Sequence, residues 1–135
     1  MVLIDPRGGQ SFTHGGSDTP ADVFTSGLPY APGKARGDQL QAQYSIGLVH
    51  RRLAIVDLKP SGHQPMSDAE GRCWMVFNGE VYNHPELREE LSALGHRFVS
   101  TSDTEVMIAA YKQWGFDCLQ HFNGMFAFAL WDAER

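Results

Sequence analysis

The chain has 135 residues, 42% of them hydrophobic and 20% charged, with a formal net charge of −5. That length fits one domain with a core of its own, and the acidic balance disfavours a nucleic-acid partner or an anionic membrane surface. No apolar run reaches transmembrane length, and two cysteines are too few for a disulfide framework, so a cytoplasmic protein is expected. Composition divides the sequence near residue 43. Residues 1–43 are rich in Gly, Pro, Ser, Thr and Asp and are expected to be irregular, with turns at 15–20 and 29–33 and a single strand at 1–4. Residues 44–135 carry regular patterning and are expected to form the domain core.

In chain order, β-rich segments at 44–50 and 53–56 predict two strands, followed by a break at Lys59-Pro60-Ser61-Gly62. Residues 73–77 are apolar at every position, the pattern of a strand covered on both faces. Asn83 is placed to cap a helix with Glu86 as its capping-box partner. Leu87, Leu91 and Leu94 then share one stripe, and Gly95 ends it. A short strand at 97–100 leads to a second helix opened by Ser102 or Asp103. Val106, Met107, Ala110, Tyr111 and Trp114 lie on its buried face, and Gly115 stops it. Asn123-Gly124 reads as a turn. Residues 126–131 read as another strand covered on both faces, which makes Phe126, Phe128 and Trp131 core residues. Such strands, with amphipathic helices between them, predict an α+β fold of sheets sandwiched between helical layers.

Three segments carry chemistry. The first runs from His50-Arg51-Arg52 through Asp57 to Gly62-His63-Gln64-Pro65-Met66. The second is Val76-Phe77-Asn78-Gly79-Glu80-Val81-Tyr82-Asn83. The third is Ser102-Asp103-Thr104-Glu105-Val106, followed by Asn123-Gly124-Met125-Phe126-Ala127-Phe128-Ala129-Leu130-Trp131-Asp132. Together, in order and spacing, they resemble the class II glutamine amidotransferase domain at the start of asparagine synthetases, over residues 44–135. Residues 1–43 match only loosely. The resemblance implies the four-layer αββα sandwich of the N-terminal-nucleophile hydrolases, here incomplete.

The resemblance also implies roles. Asn78, through its side-chain amide, and Gly79, through its backbone N–H, match an oxyanion hole, where one donor contributes ~3–4 kcal/mol to the transition state. Read alone, Asn-Gly is a strong hairpin-turn signal. Arg52 resembles the arginine that grips the α-carboxylate of glutamine, a task that suits its planar fork; read alone it is a surface arginine at a strand end. Asp103, with Glu80 beside it, resembles the carboxylates that receive the α-ammonium. Asp103 also reads as an acid in the first turn of a helix, and both readings hold together. His50, His63, His84, His96 and His121 lack the pairing or spacing of a zinc site, so no metal is expected, and His50 and His63 are expected to order loops by hydrogen bonds.

The family starts with Met-Cys-Gly, and that cysteine attacks the amide carbon with its own α-amine as base. Met1-Val2-Leu3-Ile4 has no such nucleophile, and Cys73 and Cys118 are internal. The expectation is a domain truncated at both ends. The nucleophile would lie upstream, and a synthetase domain using ATP and magnesium downstream, leaving no cofactor in this chain. Glutamine is the expected small-molecule partner. The parent would be an asparagine-synthesising ligase that supplies ammonia from glutamine for amide formation, while this chain alone would hydrolyse none. The alternatives are a non-catalytic pseudo-amidotransferase that binds glutamine or a partner without turnover, and a ligand-free interaction module. An open sheet edge and exposed apolar surface are expected to drive self-association.

Overall fold

The computed structural model describes residues 1–7, 10–33, 44–53 and 55–135. The expectations for 34–43 and for Ala54 lie outside the described residues. The described chain is α+β, with two three-stranded antiparallel sheets and two helices. In the first sheet, β1 (Val2–Asp5) lies between β2 (Gln10–Thr13) and β3 (Ile46–Leu48). Val2 and Ile4 alternate into the core, with Val2 opposite Thr13 on one side and Leu48 on the other. The polar composition around β2 hides it from a reading of the pattern, since only Phe12 in it is apolar.

In the second sheet, β5 (Cys73–Val81) lies between the two-residue β4 (Met66–Ser67) and β6 (Gly124–Asp132). β5 and β6 pair along their whole length, from Cys73 opposite Asp132 to Val81 opposite Gly124. Helix α1 (His84–Ala93) buries Leu87 and Leu91. Helix α2 (Asp103–Trp114) packs against α1, β4 and β5 and buries Val106, Met107 and Ala110 completely. Ser102 caps α2 by accepting the Thr104 N–H at 3.2 Å, and Gly115 ends it.

Several expectations change on contact with the fold. Asn78-Gly79, a turn signal when read alone, lies within β5. Gly79 has φ +138°, and a Cβ there would overlap the Met125 carbonyl oxygen and sit 2.6 Å from Phe126 Cα. Glycine therefore lets β6 approach β5, which a turn signal cannot convey. No strand forms at 97–100, because the Glu105 carboxylate accepts the N–H groups of Val99 and Ser100, each at 2.8 Å, in place of a strand partner. Arg88 holds the same segment from the other side, donating to the carbonyls of Ser100 and Ser102 at 2.9 Å each. The described residues of 53–56 form no strand either. Asn83 precedes α1 without capping it: its side chain instead donates to the His121 carbonyl and accepts the Asn123 N–H, both at 2.9 Å, fixing the approach to β6. Leu94 lies past the helix end and is exposed. β6 is not covered on both faces, since Met125 is 74% exposed and Phe128 is exposed as well. Among the described residues β6 has a strand on one side only.

Two buried carboxylates pin the second sheet to α2. Asp132 on β6 accepts the Tyr111 hydroxyl at 3.0 Å and Arg72 Nε at 3.2 Å. Asp68 accepts the N–H groups of Arg72 and Cys73 at 2.8 and 2.9 Å and pairs with Lys112 at 2.8 Å. Burial pushes both carboxyls upward. For Asp132 the Glu134 N–H, Arg72 and Tyr111 outweigh it, for Asp68 Lys112 and the Cys73 N–H do, and both end below the ordinary value of 3.8.

A depressed carboxyl contributes stability that is present above its unfolded pKa and is lost as pH falls through its folded value. Urea midpoints should therefore hold steady above about pH 5 and drop on acidification below about pH 4. Asp132→Asn should flatten that acid limb; an unchanged limb would contradict the anchoring role. Backbone geometry yields a second test. Gly71 also has positive φ, +68°, but a Cβ there meets nothing. Gly71→Ala should cost ~1 kcal/mol and Gly79→Ala ~3 kcal/mol or more by urea unfolding, because only the second adds overlap to strain.

Candidate glutamine site

The start of α2 faces the middle of β5 across a cavity of about 330 Å³. Arg52, Asn78, Gly79, Glu80 and Asp103 all line it, together with His50, Gln64 and Thr104. Residues far apart in sequence meet here because β5 runs past the N-terminus of α2 and the loop after β3 folds over both. Leu53, Ile55, Tyr82 and Met125 form an exposed apolar rim.

Asp103 is the most enclosed of the five, at 4% exposed. Oδ2 accepts the Val81 N–H at 3.3 Å, and Oδ1 accepts the Thr104 N–H at 2.9 Å. Each oxygen keeps acceptor capacity for a further donor. The carboxylate thus joins β5 to α2 while presenting negative charge to the cavity. Glu80 forms no ion pair among the described residues, and Asn78 is exposed at the cavity wall.

Arg52 is half-buried. Its Nη2 donates to the carbonyl of Val56 at 2.7 Å and to that of Asp57, which turns the loop 52–57 around the guanidinium. A Cβ on Gly62 would lie 2.7 Å from Arg52 Cζ, so the small residue makes room for the head group. Burial pulls the Arg52 pKa below its ordinary value, against the opposing pull of Asp57 and Asp103.

Two residues that the sequence motifs did not mark as functional hold this arrangement. Asp57 has φ +53°. Its carboxylate accepts Ser61 Oγ at 2.9 Å and the N–H groups of Lys59 and Thr101 at 3.0 Å each, tying the Arg52 loop to the approach to α2. Gln64, 7% exposed, accepts the Phe77 N–H at 2.7 Å and donates to Thr104 Oγ1 at 3.3 Å. Both residues sit inside the first motif, but only the three-dimensional arrangement shows what their side chains reach.

His50 Nδ1 is buried without a hydrogen-bond partner among the described residues, while burial lowers the imidazole pKa against a hydrogen bond to the Phe77 backbone. Burial, with nearby positive charge including Arg52, pushes the His63 imidazole down to about 4, so it is neutral at pH 7. Among the described residues no group of three or more His, Cys, Asp or Glu side chains is arranged to hold a metal ion. Cys73 and Cys118 are buried away from the cavity, and burial raises both thiols, Cys73 to about 11. Neither is poised as a thiolate. Among the described residues no helix is long and apolar enough to cross a membrane.

Residues 33–135 match the model of a glutamine amidotransferase domain family. The chain is 50% identical over 88 residues to the glutamine-hydrolyzing asparagine synthetase 3 of Bacillus subtilis, a match covering 64% of this chain and 14% of that protein. It is 44% identical over 101 residues to amidase chry2 of Gibberella zeae, covering 75% of this chain and 15% of that protein. It is 41% identical over 106 residues to a protein of Methanocaldococcus jannaschii named a putative glutamine-hydrolyzing asparagine synthetase, covering 68% of this chain and 20% of that protein. The chain therefore spans a fifth or less of the length of these relatives. A family model that covers the cavity-bearing part of the chain, together with asparagine synthetases at 41–50% identity, settles the kinship: the chain belongs to the class II glutamine amidotransferase domain family of the asparagine synthetases.

Proposed function

We propose that the cavity between β5 and α2 binds L-glutamine and forms the substrate-gripping half of an amidotransferase site. The observation that carries this reading is the convergence of Arg52, Asn78, Gly79, Glu80 and Asp103 on one cavity. A glutamine molecule has three groups to satisfy. Its α-carboxylate suits Arg52, whose Nη1 and Nε have no partner among the described residues. Its α-ammonium suits Asp103 and Glu80, whose carboxylates offset the positive end of α2 that would otherwise repel a cation. Its side-chain amide then reaches toward Asn78 and Gly79, where two N–H donors would stabilise the oxyanion formed when a nucleophile adds to the carbonyl carbon.

In the whole protein, the thiolate of an N-terminal cysteine would attack that carbon, with its α-amine taking the proton. The tetrahedral oxyanion would collapse with release of ammonia, and water would hydrolyse the thioester to glutamate. The ammonia would pass to a synthetase domain for amide formation, where ATP and magnesium would be needed. In this account the two sheets are the inner layers of an αββα sandwich, and α1 and α2 belong to one outer layer. The packing of α2 on β4 and β5 supports that assignment.

Calorimetry on the 135-residue chain should detect L-glutamine binding. Arg52→Ala and Asp103→Ala should each weaken it by about tenfold to a hundredfold, and Arg52→Lys should recover only part of the loss. Unchanged affinity in both alanine variants, with the fold intact by circular dichroism, would refute the assigned roles.

A further inference from the structure

We infer that Gln64 is a positioning residue that sets the spacing between the two ends of the ligand site, and hence its discrimination between glutamine and shorter amides. This inference rests on the glutamine-binding reading above. Segment 78–80 on β5 is bracketed by two ties to one helix start. After it, the Val81 N–H donates to the Asp103 carboxylate at 3.3 Å. Before it, the Phe77 N–H donates to Gln64 Oε1 at 2.7 Å, and Gln64 Nε2 donates to Thr104 Oγ1 at 3.3 Å. Asn78 and Gly79, which face the amide end of a ligand, follow Phe77 directly. Asp103, which faces the ammonium end, directly precedes Thr104. The Gln64 carboxamide is therefore a rigid spacer between the residues that read opposite ends of the same molecule.

Chemistry leaves little choice at this position. The backbone N–H of Phe77 can only donate, so the carboxamide oxygen must face it and the nitrogen must face Thr104. A carboxamide meets both demands without charge. Gln64 is 7% exposed and Thr104 1%, so loss of the side chain would leave the buried Phe77 N–H without its protein partner. Gln64 lines the cavity but spends both ends of its amide inside the protein, which is why its role is to position and not to touch the reacting atoms.

Calorimetry with L-glutamine and L-asparagine, alongside thermal unfolding, separates this role from general stability. The full chain should prefer glutamine. Gln64→Met, which keeps the volume and removes both bonds, should weaken glutamine binding about tenfold while asparagine binding changes little, so that the preference narrows. Thr104→Val should move in the same direction by about threefold, and Thr104→Ser, which keeps the hydroxyl, should bind like the unaltered chain. Equal weakening of both amino acids, or an unchanged preference in Gln64→Met, would overturn the inference while leaving glutamine binding intact. If Gln64→Met shows no cooperative unfolding, the contrast between Thr104→Val and Thr104→Ser decides, and equal preference in those two overturns it. Absence of glutamine binding by the unaltered chain would instead sink the functional reading, and this inference with it.

Discussion

The arrangement depends on a carboxylate buried where a helix begins and a strand passes. An unpaired buried charge is strongly unfavourable, and Asp103 is tolerated because the N–H groups of Val81 and Thr104 both donate to it. Those two bonds do structural and electrostatic work at once. They fix α2 against β5, and they hold a negative charge at the mouth of a helix whose exposed N–H groups would otherwise make it an anion site. Around this point the rest of the cavity is assembled: Gln64 repeats the strand-to-helix link one residue further out, and Asp57 carries the Arg52 loop to Thr101 just ahead of the helix.

The same construction explains why the site divides by charge. Arg52 comes from a loop wrapped around its own guanidinium, held by the carbonyls of Val56 and Asp57. Asp103 and Glu80 come from regular elements. A cation on a loop and anions on a scaffold, facing one cavity, suit a zwitterion whose two charged groups share one carbon. They suit a phosphate or a nucleic acid poorly, in keeping with the overall charge of −5.

Much of the local structure was legible in the sequence because it follows from short-range rules. The stripe of Val106, Met107 and Ala110, with Ser102 before it and Gly115 after, predicts α2 closely, and the apolar run from Cys73 predicts β5. Expectations failed where a side chain far away in sequence decided the outcome. Glu105 takes the backbone donors that a strand at 97–100 would have used, and Asn83 serves the approach to β6 instead of capping α1. Gly79 is the instructive case. The dipeptide signals a turn locally, yet the need for glycine comes from the close approach of Met125 and Phe126 on another strand. The five residues singled out by motif do line one cavity. The motif gives Gln64 and Asp57 no role of their own, because their partners, Phe77, Thr104 and Thr101, are named by the fold and not by spacing.

A crystal structure of this chain with L-glutamine decides the assignment. The amino acid should lie in the cavity between β5 and α2, its carboxylate on Arg52, its ammonium on Asp103 and its side-chain amide against Asn78 and Gly79. Glutamine bound elsewhere, or bound in this cavity with its ends reversed, would contradict it.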